Sequence, residues 1–240
     1  MSIKKYIPNV ITLINVFCGC MAILSLFNGM WGWVPVFVAL GVAADFGDGM
    51  VARALGVYSE LGKELDSLAD MVTFGFLPGA VLYHLMATTH TGEQEYGGIV
   101  WVAVPGFLIT LFSALRLAKF NIDERQSDGF IGLATPADTG FFMGLFLIVH
   151  FETFIPADWV LNLPVLYILA VVFSYLLVAE IPMFSLKFKS KGWRGNELPY
   201  IFLIASVVML VTLQLAAFAL SILIYLILVG VDNIFLKKSK

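Results

Sequence analysis

Charge is scarce in this chain. Asp, Glu, Lys and Arg make up 13% of its 240 residues, while 60% are hydrophobic. A soluble domain carries about 25% charged and 45–50% apolar residues, so a soluble fold is excluded. No stretch is long or polar enough for a separate soluble domain. Cysteine is nearly absent, with only Cys18 and Cys20 in the sequence. Two residues apart on a helix, they point to nearly opposite faces, so they should not bridge. Both read as small core residues. The opening MSIKKYIPN and the apolar run behind it lack a small-x-small cleavage site. That start is expected to be a retained first span and not a leader. Internal repeats and matched pairs of broken helices, the marks of many transporters, are also missing. Nothing in the sequence points to a nucleic-acid partner.

What is present is one apolar run after another, with mean hydropathy +0.93. Several approach the ~20 residues that cross a bilayer. The chain therefore reads as an all-α, polytopic membrane bundle forming a single integral-membrane domain over 1–240. About eight spans are predicted, near 9–29, 34–54, 63–86, 98–118, 136–153, 163–183, 198–213 and 215–234. Residues 1–185 would form a core bundle of six helices, and 198–235 would add two C-terminal spans. Leu198 to Gly230 reads either as one oblique helix or as two short ones turning near Thr212–Leu215.

The eight-span count sorts the charges. Alternate loops hold Lys4 and Lys5; Arg53 and Lys63; Arg116, Lys119 and Arg125; Lys187, Lys189, Lys191 and Arg194; and Lys237, Lys238 and Lys240. All 14 basic residues then fall on one side, and the other side holds Glu93, Glu95, Glu152 and Asp158. Positive residues favour the cytoplasmic side. Both termini are expected there, in a membrane that would be the prokaryotic cytoplasmic membrane.

Four acids break the pattern. Asp45, Asp48, Asp66 and Asp70 lie inside predicted spans two and three, one to three turns from the loop that Arg53 and Lys63 bracket. An ionisable group in a span costs about 2.5–3.5 kcal/mol on insertion scales and is a functional-site candidate by default. Residues three or four apart share a helix face, so each pair points one way. Two helices meeting here would converge four carboxylates, which repel unless cations balance them. Two divalent ions carry the matching charge, and oxygen ligands suit Mg²⁺, Mn²⁺ or Ca²⁺. Gly49 and Gly62 remove side chains beside the acids, so a backbone or a ligand phosphate can come close. Arg53 reads as a snorkelling charge or a phosphate clamp. His84, His90 and His150 fall near the other side and read as structure.

The spacing Asp45-x-x-Asp48-Gly49-x-x-Ala52-Arg53, eight residues, then Gly62-x-x-x-Asp66-x-x-x-Asp70 resembles the signature of the CDP-alcohol phosphotransferases. Three flanking tracts are similar to the prokaryotic serine-using branch of that family, the phosphatidylserine synthases. They are Pro8-Asn9-x-x-Thr12-x-x-Asn15, Ser59 to Asp70, and Arg116-Leu117-Ala118-Lys119-Phe120-Asn121. Met50 departs from the pattern, as do Ala134 and Asp138 in Gly132-Leu133-Ala134-Thr135-Pro136-Ala137-Asp138. The resemblance covers roughly the first 140 residues.

The resemblance implies transfer of a phosphatidyl group from CDP-diacylglycerol to L-serine, with CMP released. It implies that Asp45, Asp48, Asp66 and Asp70 hold two divalent cations, Mg²⁺ or Mn²⁺, with Ca²⁺ as a non-productive occupant. Asp70 would also be the general base. Asn9, Thr12, Asp48, Gly49, Ala52, Arg53 and Gly62 would line the CDP-diacylglycerol pocket, and a homodimer within the lipid bilayer would be the working form. Arg116, Lys119 and Asn121 are candidates for the serine carboxylate or the lipid phosphate; positive-inside anchoring explains the two bases equally well. The four acids do not choose the acceptor, so a phosphatidylglycerophosphate or phosphatidylinositol-phosphate type of synthase remains open. A cation transporter using intramembrane acids is the reading from another class.

Overall fold

The computed structural model of the protein describes residues 6–92, 98–123, 130–151, 153–184, 192–193 and 196–236. Lys4, Lys5, Arg125, Lys187, Lys189, Lys191, Arg194 and the three C-terminal lysines lie outside them, as do Glu93, Glu95 and Glu152. Among the described residues the regular secondary structure is all helix but for one two-residue strand pair. The helices longer than a single turn are α1 (Tyr6–Phe27), α2 (Trp33–Leu55), α3 (Glu60–Thr91), α4 (Trp101–Ile122), α5 (Thr135–His150), α6 (Leu163–Val178), α7 (Glu197–Leu213) and α8 (Ala217–Val231).

The centre of the bundle is α3. Every residue from Leu77 to Thr88 is buried, as expected of a helix that is apolar on all sides. The second buried helix is α5, enclosed from Phe141 to Ile148. By contrast, α1 and α2 each bury one stripe. On α2 it runs Val34, Val38, Gly41, Ala44 and Asp48, and on α1 it includes Thr12, Asn15, Cys18, Gly19 and Ala22. These stripes are rich in small residues, which lets two membrane helices approach closely. Large apolar side chains such as Phe17, Phe46 and Val211 face outward, as lipid-facing surface requires. Cys18 is buried, Cys20 is exposed, and both are free.

Four helical stretches are long and apolar enough to cross a membrane by themselves: α1, α2, α3 and α4. A fifth, Glu197–Ile234, qualifies by length and composition. It is not one rod, however. Gln214 adopts a positive φ of 49°, and the Phe202 and Tyr225 rings meet at 5.6 Å. Only a chain folded back on itself brings those two residues together, so α7 and α8 are a helical hairpin. Of the two readings of this stretch, two short helices is the correct one. The hairpin seats on α5, where Gly144 faces the Ala219 backbone with no room for a side chain.

Two ends of the bundle can be told apart. At one end Lys63 Nζ donates to the Asn121 carbonyl at 3.2 Å, and strand β1 (Phe130–Ile131) pairs antiparallel with β2 (Pro182–Met183). Asn233 Nδ2 donates to the Pro182 carbonyl at 2.8 Å, which returns the end of α8 to the same side. At the other end the nitrogens of His84 and His150 share a hydrogen bond of 2.9 Å, with Trp31 stacked on His150 at 4.3 Å. The two histidines satisfy each other, far along α3 from the acids.

Two local features escape the sequence pattern. From Met71 to Phe76 α3 widens into a π-helical stretch, and α4 opens as a 3₁₀ segment over Trp101–Phe107 that contains Pro105. Three threonines hold the π stretch. Thr73 donates to the Asn15 carbonyl at 3.1 Å, Thr110 donates to Gly75 at 3.1 Å, and Thr139 has Phe74 within reach at 3.3 Å. Thr73 is also wedged between Gly19 of α1 and Gly41 of α2.

Replacing Gly144 by alanine should cost about 1–3 kcal/mol, the usual range for forcing a methyl into a packed contact. Thermal unfolding in detergent should show it as a lowered midpoint. An unchanged midpoint would mean that α8 does not seat on α5 as described.

Candidate active site

The site is built by the turn between α2 and α3. Gly56 ends α2 in the left-handed region with φ 61°. The Val57 amide donates back to Ala52 at 3.0 Å and the Gly56 amide to Arg53 at 3.2 Å, closing the helix with a Schellman motif. Ser59 then caps α3 by accepting from the Gly62 amide at 3.0 Å. The connection is only four residues long, from Gly56 to Ser59. The two helices therefore run back antiparallel, and acids at similar distances from the turn on each arm come level.

They do come level. Asp45, Asp48 and Asp66 offer oxygens that all lie within 4.8 Å of one another. The carboxyl of Asp70, one turn deeper on α3, is in hydrogen-bond contact with Asp45, and its Oδ1 is buried with no partner. Thr12 of α1 donates to Asp48 Oδ2 at 2.5 Å, with the Pro8 carbonyl 3.1 Å away as an alternative acceptor. Asp48 is thus fixed from a third helix. An all-oxygen, all-acidic donor set at this spacing fits a hard divalent cation, and the orphaned Asp70 oxygen adds a further donor.

Beside the acids lies a cavity of about 470 Å³. Asn9, Thr12, Asp48, Gly49, Ala52, Arg53 and Gly62 all line it, together with Asp66. The lining also includes Val57, Tyr58, Ser59 and Lys63, which the sequence reasoning did not single out for the pocket. These four belong to the connecting turn or the first turn of α3. Their proximity follows from the tight connection, and no residue type advertises it. The two glycines differ in what they permit. A methyl on Gly62 would sit 2.9 Å from the capping Ser59 hydroxyl and 3.2 Å from Asn9 Oδ1, so that position is needed for packing. A methyl on Gly49 would meet only the Arg53 guanidinium at 3.5 Å, ordinary contact.

The three residues suggested for the acceptor do not stay together. Arg116 is buried, with its guanidinium 5.7 Å from the Phe120 ring centre. It lies within electrostatic reach of Asp70. Lys119 is exposed. Asn121 is engaged with Ser67 of α3, its Nδ2 donating at 2.9 Å. Arg116 is therefore no snorkelling anchor, whereas Lys119 is placed as one.

The model of the CDP-alcohol phosphatidyltransferase family matches residues 5–178, well over half of the chain. The chain belongs to this family. Its members named CDP-diacylglycerol–serine O-phosphatidyltransferase include one from Bacillus subtilis, 36% identical over 63% of this chain and 78% of the relative. Another, from Methanocaldococcus jannaschii, is 32% identical over 75% of each. A third, from Helicobacter pylori, is 35% identical over 54% of this chain, which spans about half of that relative's length. The family match stops at Val178, so the α7–α8 hairpin lies beyond it.

Removing one charge from the acidic group should weaken metal binding. Asp66→Asn is expected to lower Mn²⁺ affinity by at least about tenfold, since even outer-shell changes reach that size. Titration of the purified protein followed by electron paramagnetic resonance would measure it. Unchanged affinity would remove Asp66 from the ligand set.

Proposed function

We propose that the chain transfers the phosphatidyl group of CDP-diacylglycerol to L-serine, forming phosphatidylserine and CMP. The observation that carries this reading is the shared cavity. The residues that the family resemblance assigns to the CDP end all line one space, and that space is bordered by Asp48 and Asp66.

Asp45, Asp48, Asp66 and Asp70 would hold two divalent cations. Bound there, the ions would neutralise the pyrophosphate and the departing phosphate of CMP. The rest falls to the chain. Asn9, Thr12 and Ala52 bound the CDP pocket, and Gly49 leaves the α2 surface bare so that phosphate oxygens can reach the backbone. Arg53 is exposed at the edge of the cavity and clamps phosphate. The serine hydroxyl oxygen bonds to the phosphatidyl phosphorus as the bond to the CMP phosphate breaks. Asp70 accepts the hydroxyl proton, and CMP leaves with the bonding electron pair. A serine hydroxyl does not ionise alone at neutral pH, so a positioned acceptor is needed. Buried Arg116 faces the serine carboxylate.

Position supports the same reading. The acids lie just below the turn that Arg53 and Lys63 bracket, at the end of the bundle where Tyr6 and Leu236 also lie. Under the positive-inside rule that end faces the cytoplasm. A lipid substrate can then keep its tails in the leaflet while its head group reaches water. Two copies are proposed to pair in the membrane. The transporter alternative loses its motive, because family membership accounts for intramembrane acids without a transport path.

Release of labelled CMP from CDP-diacylglycerol with Mg²⁺ or Mn²⁺ tests the assignment. Serine should support it, and glycerol 3-phosphate and inositol phosphate should not. Release with one of those acceptors alone would transfer the chain to another branch of the family. Gly49→Ala should unfold at or above the wild-type midpoint yet raise the KM for CDP-diacylglycerol by about tenfold, the effect of losing a charge-assisted contact. An unaltered KM would mean that no ligand approaches α2 there.

A further inference from the structure

Asp138 is not part of the family signature and takes no share in the chemistry above. It occupies the first turn of α5, and its placement is tightly specified. Gly132, with φ 76°, would meet the Leu177 carbonyl at 2.8 Å if it carried a methyl. The Gly132 amide donates to Ile181 at 3.0 Å and the Leu133 amide to Leu176 at 2.8 Å. The segment before α5 is thereby fastened to the end of α6, and Asp138 is carried inward. It is 0% exposed, and neither of its oxygens has a hydrogen-bond partner.

Arg116 faces it from α4. Arg116 is 7% exposed, and its Nε has no partner. The guanidinium lies within electrostatic reach of both Asp70 and Asp138, but is hydrogen-bonded to neither oxygen of Asp138. Ser113, one turn before Arg116, and Thr135, one turn before Asp138, are buried with unpartnered hydroxyls. Four polar side chains, two on α4 and two on α5, therefore hold donors and acceptors in reserve. Buried polar groups normally find partners, because leaving one bare costs about 1–3 kcal/mol in protein mutational data. An arginine and an aspartate whose only task was to join α4 to α5 would close into a direct, bidentate pair. These two remain apart.

We propose that Asp138 is a specificity residue of the acceptor site, receiving the ammonium of an α-amino acid whose carboxylate faces Arg116. The proposal rests on the serine reading above and deepens it. Asp138, Arg116 and Asp70 then meet the three polar groups of the acceptor, its ammonium, carboxylate and hydroxyl. The same carboxylate excludes acceptors of the other kind. A sugar or glycerol phosphate would bring a doubly negative group against Asp138, with no cation of its own to offer.

Kinetics of Asp138→Asn in the full chain tests this. Loss of one charge-assisted hydrogen bond should raise the KM for serine by about tenfold or more. The KM for CDP-diacylglycerol and the Mn²⁺ dependence should stay at wild-type values, and Asp138→Glu should recover part of the loss. A serine KM unchanged in Asp138→Asn would overturn the proposal. So would equal damage to the KM of both substrates, since a residue that merely supports packing would produce it. Should the variant fail to fold, competition against serine in the wild-type protein decides. L-alanine keeps the ammonium and carboxylate, and propanoate keeps the carboxylate alone. Propanoate should compete about tenfold more weakly or worse; equal competition would leave Asp138 without an ammonium to bind. Wild-type protein that releases no CMP with serine defeats the serine reading itself, and this proposal with it. Activity with serine that ignores Asp138 defeats this proposal alone.

Discussion

Mutual repulsion among carboxylates is the constraint that the rest of this bundle answers. Asp45, Asp48 and Asp66 place oxygens within 4.8 Å of one another inside an apolar protein. At an effective dielectric constant of 20, each such pair of charges repels by about 3.5 kcal/mol. Three pairs approach about 10 kcal/mol, as large as the whole stability of an ordinary domain. No arrangement of helices would hold that cluster ionised without cations. The scaffold must also stop the acids from swinging apart when ions are absent. The Schellman turn at Gly56, the Ser59 cap and the Thr12 hydroxyl on Asp48 each act on that problem. All three sit within two turns of the charges.

The π-helical stretch at Met71–Phe76 belongs to the same solution. A π turn inserts one extra residue and shifts the register of the helix beyond it, so the acid-bearing part of α3 need not match the register of the buried core below. Asp66 and Asp70 face α2, while Leu77 to Thr88 are enclosed on all sides. Such a distortion survives only when its surroundings define it. Here the hydroxyls of Thr73, Thr110 and Thr139 reach it from within α3, from α4 and from α5. The acid-bearing end of α3 is thus tied to helices that carry none of the four acids. The α7–α8 hairpin extends the chain of support, since it packs on α5 through Gly144.

Much of this is legible in the sequence, for a physical reason. Charged residues in a membrane are so costly that their spacing is almost pure signal, and Asp45, Asp48, Asp66 and Asp70 stand out against the apolar runs. Five of the seven expected pocket residues converge because the motif encodes two helix faces and the turn between them; Asn9 and Thr12 join from α1, where Thr12 bonds to Asp48. The π stretch is invisible, because Met-Val-Thr-Phe-Gly-Phe has the composition of any buried helix. Arg116 and Lys119 share a face by their spacing, yet one is buried and the other exposed. Residues three apart on a helix differ by about 60° in direction, enough at the border of a buried stripe to separate them. In the sequence Asp138 is only a departure from a family pattern. An acid in the first turn of a helix ordinarily reads as a dipole-complementing charge, and only packing reveals that this one has no solvent.

The contrast between Gly49 and Gly62 shows how far geometry can separate fold from function. Both glycines belong to one motif, and both line one cavity. At Gly62 a methyl would press on Ser59 and Asn9, so the helix cap and the α1–α3 contact are sufficient reasons for glycine. At Gly49 the neighbouring guanidinium stands at ordinary contact distance, and the backbone is plain right-handed helix. Neither strain nor crowding within the chain calls for glycine there. A glycine in mid-helix costs about 0.8–1.0 kcal/mol relative to alanine. The proposed function supplies a reason that packing does not: a pyrophosphate held between cations at the acids and the Arg53 guanidinium would use the space that a methyl on Gly49 would take.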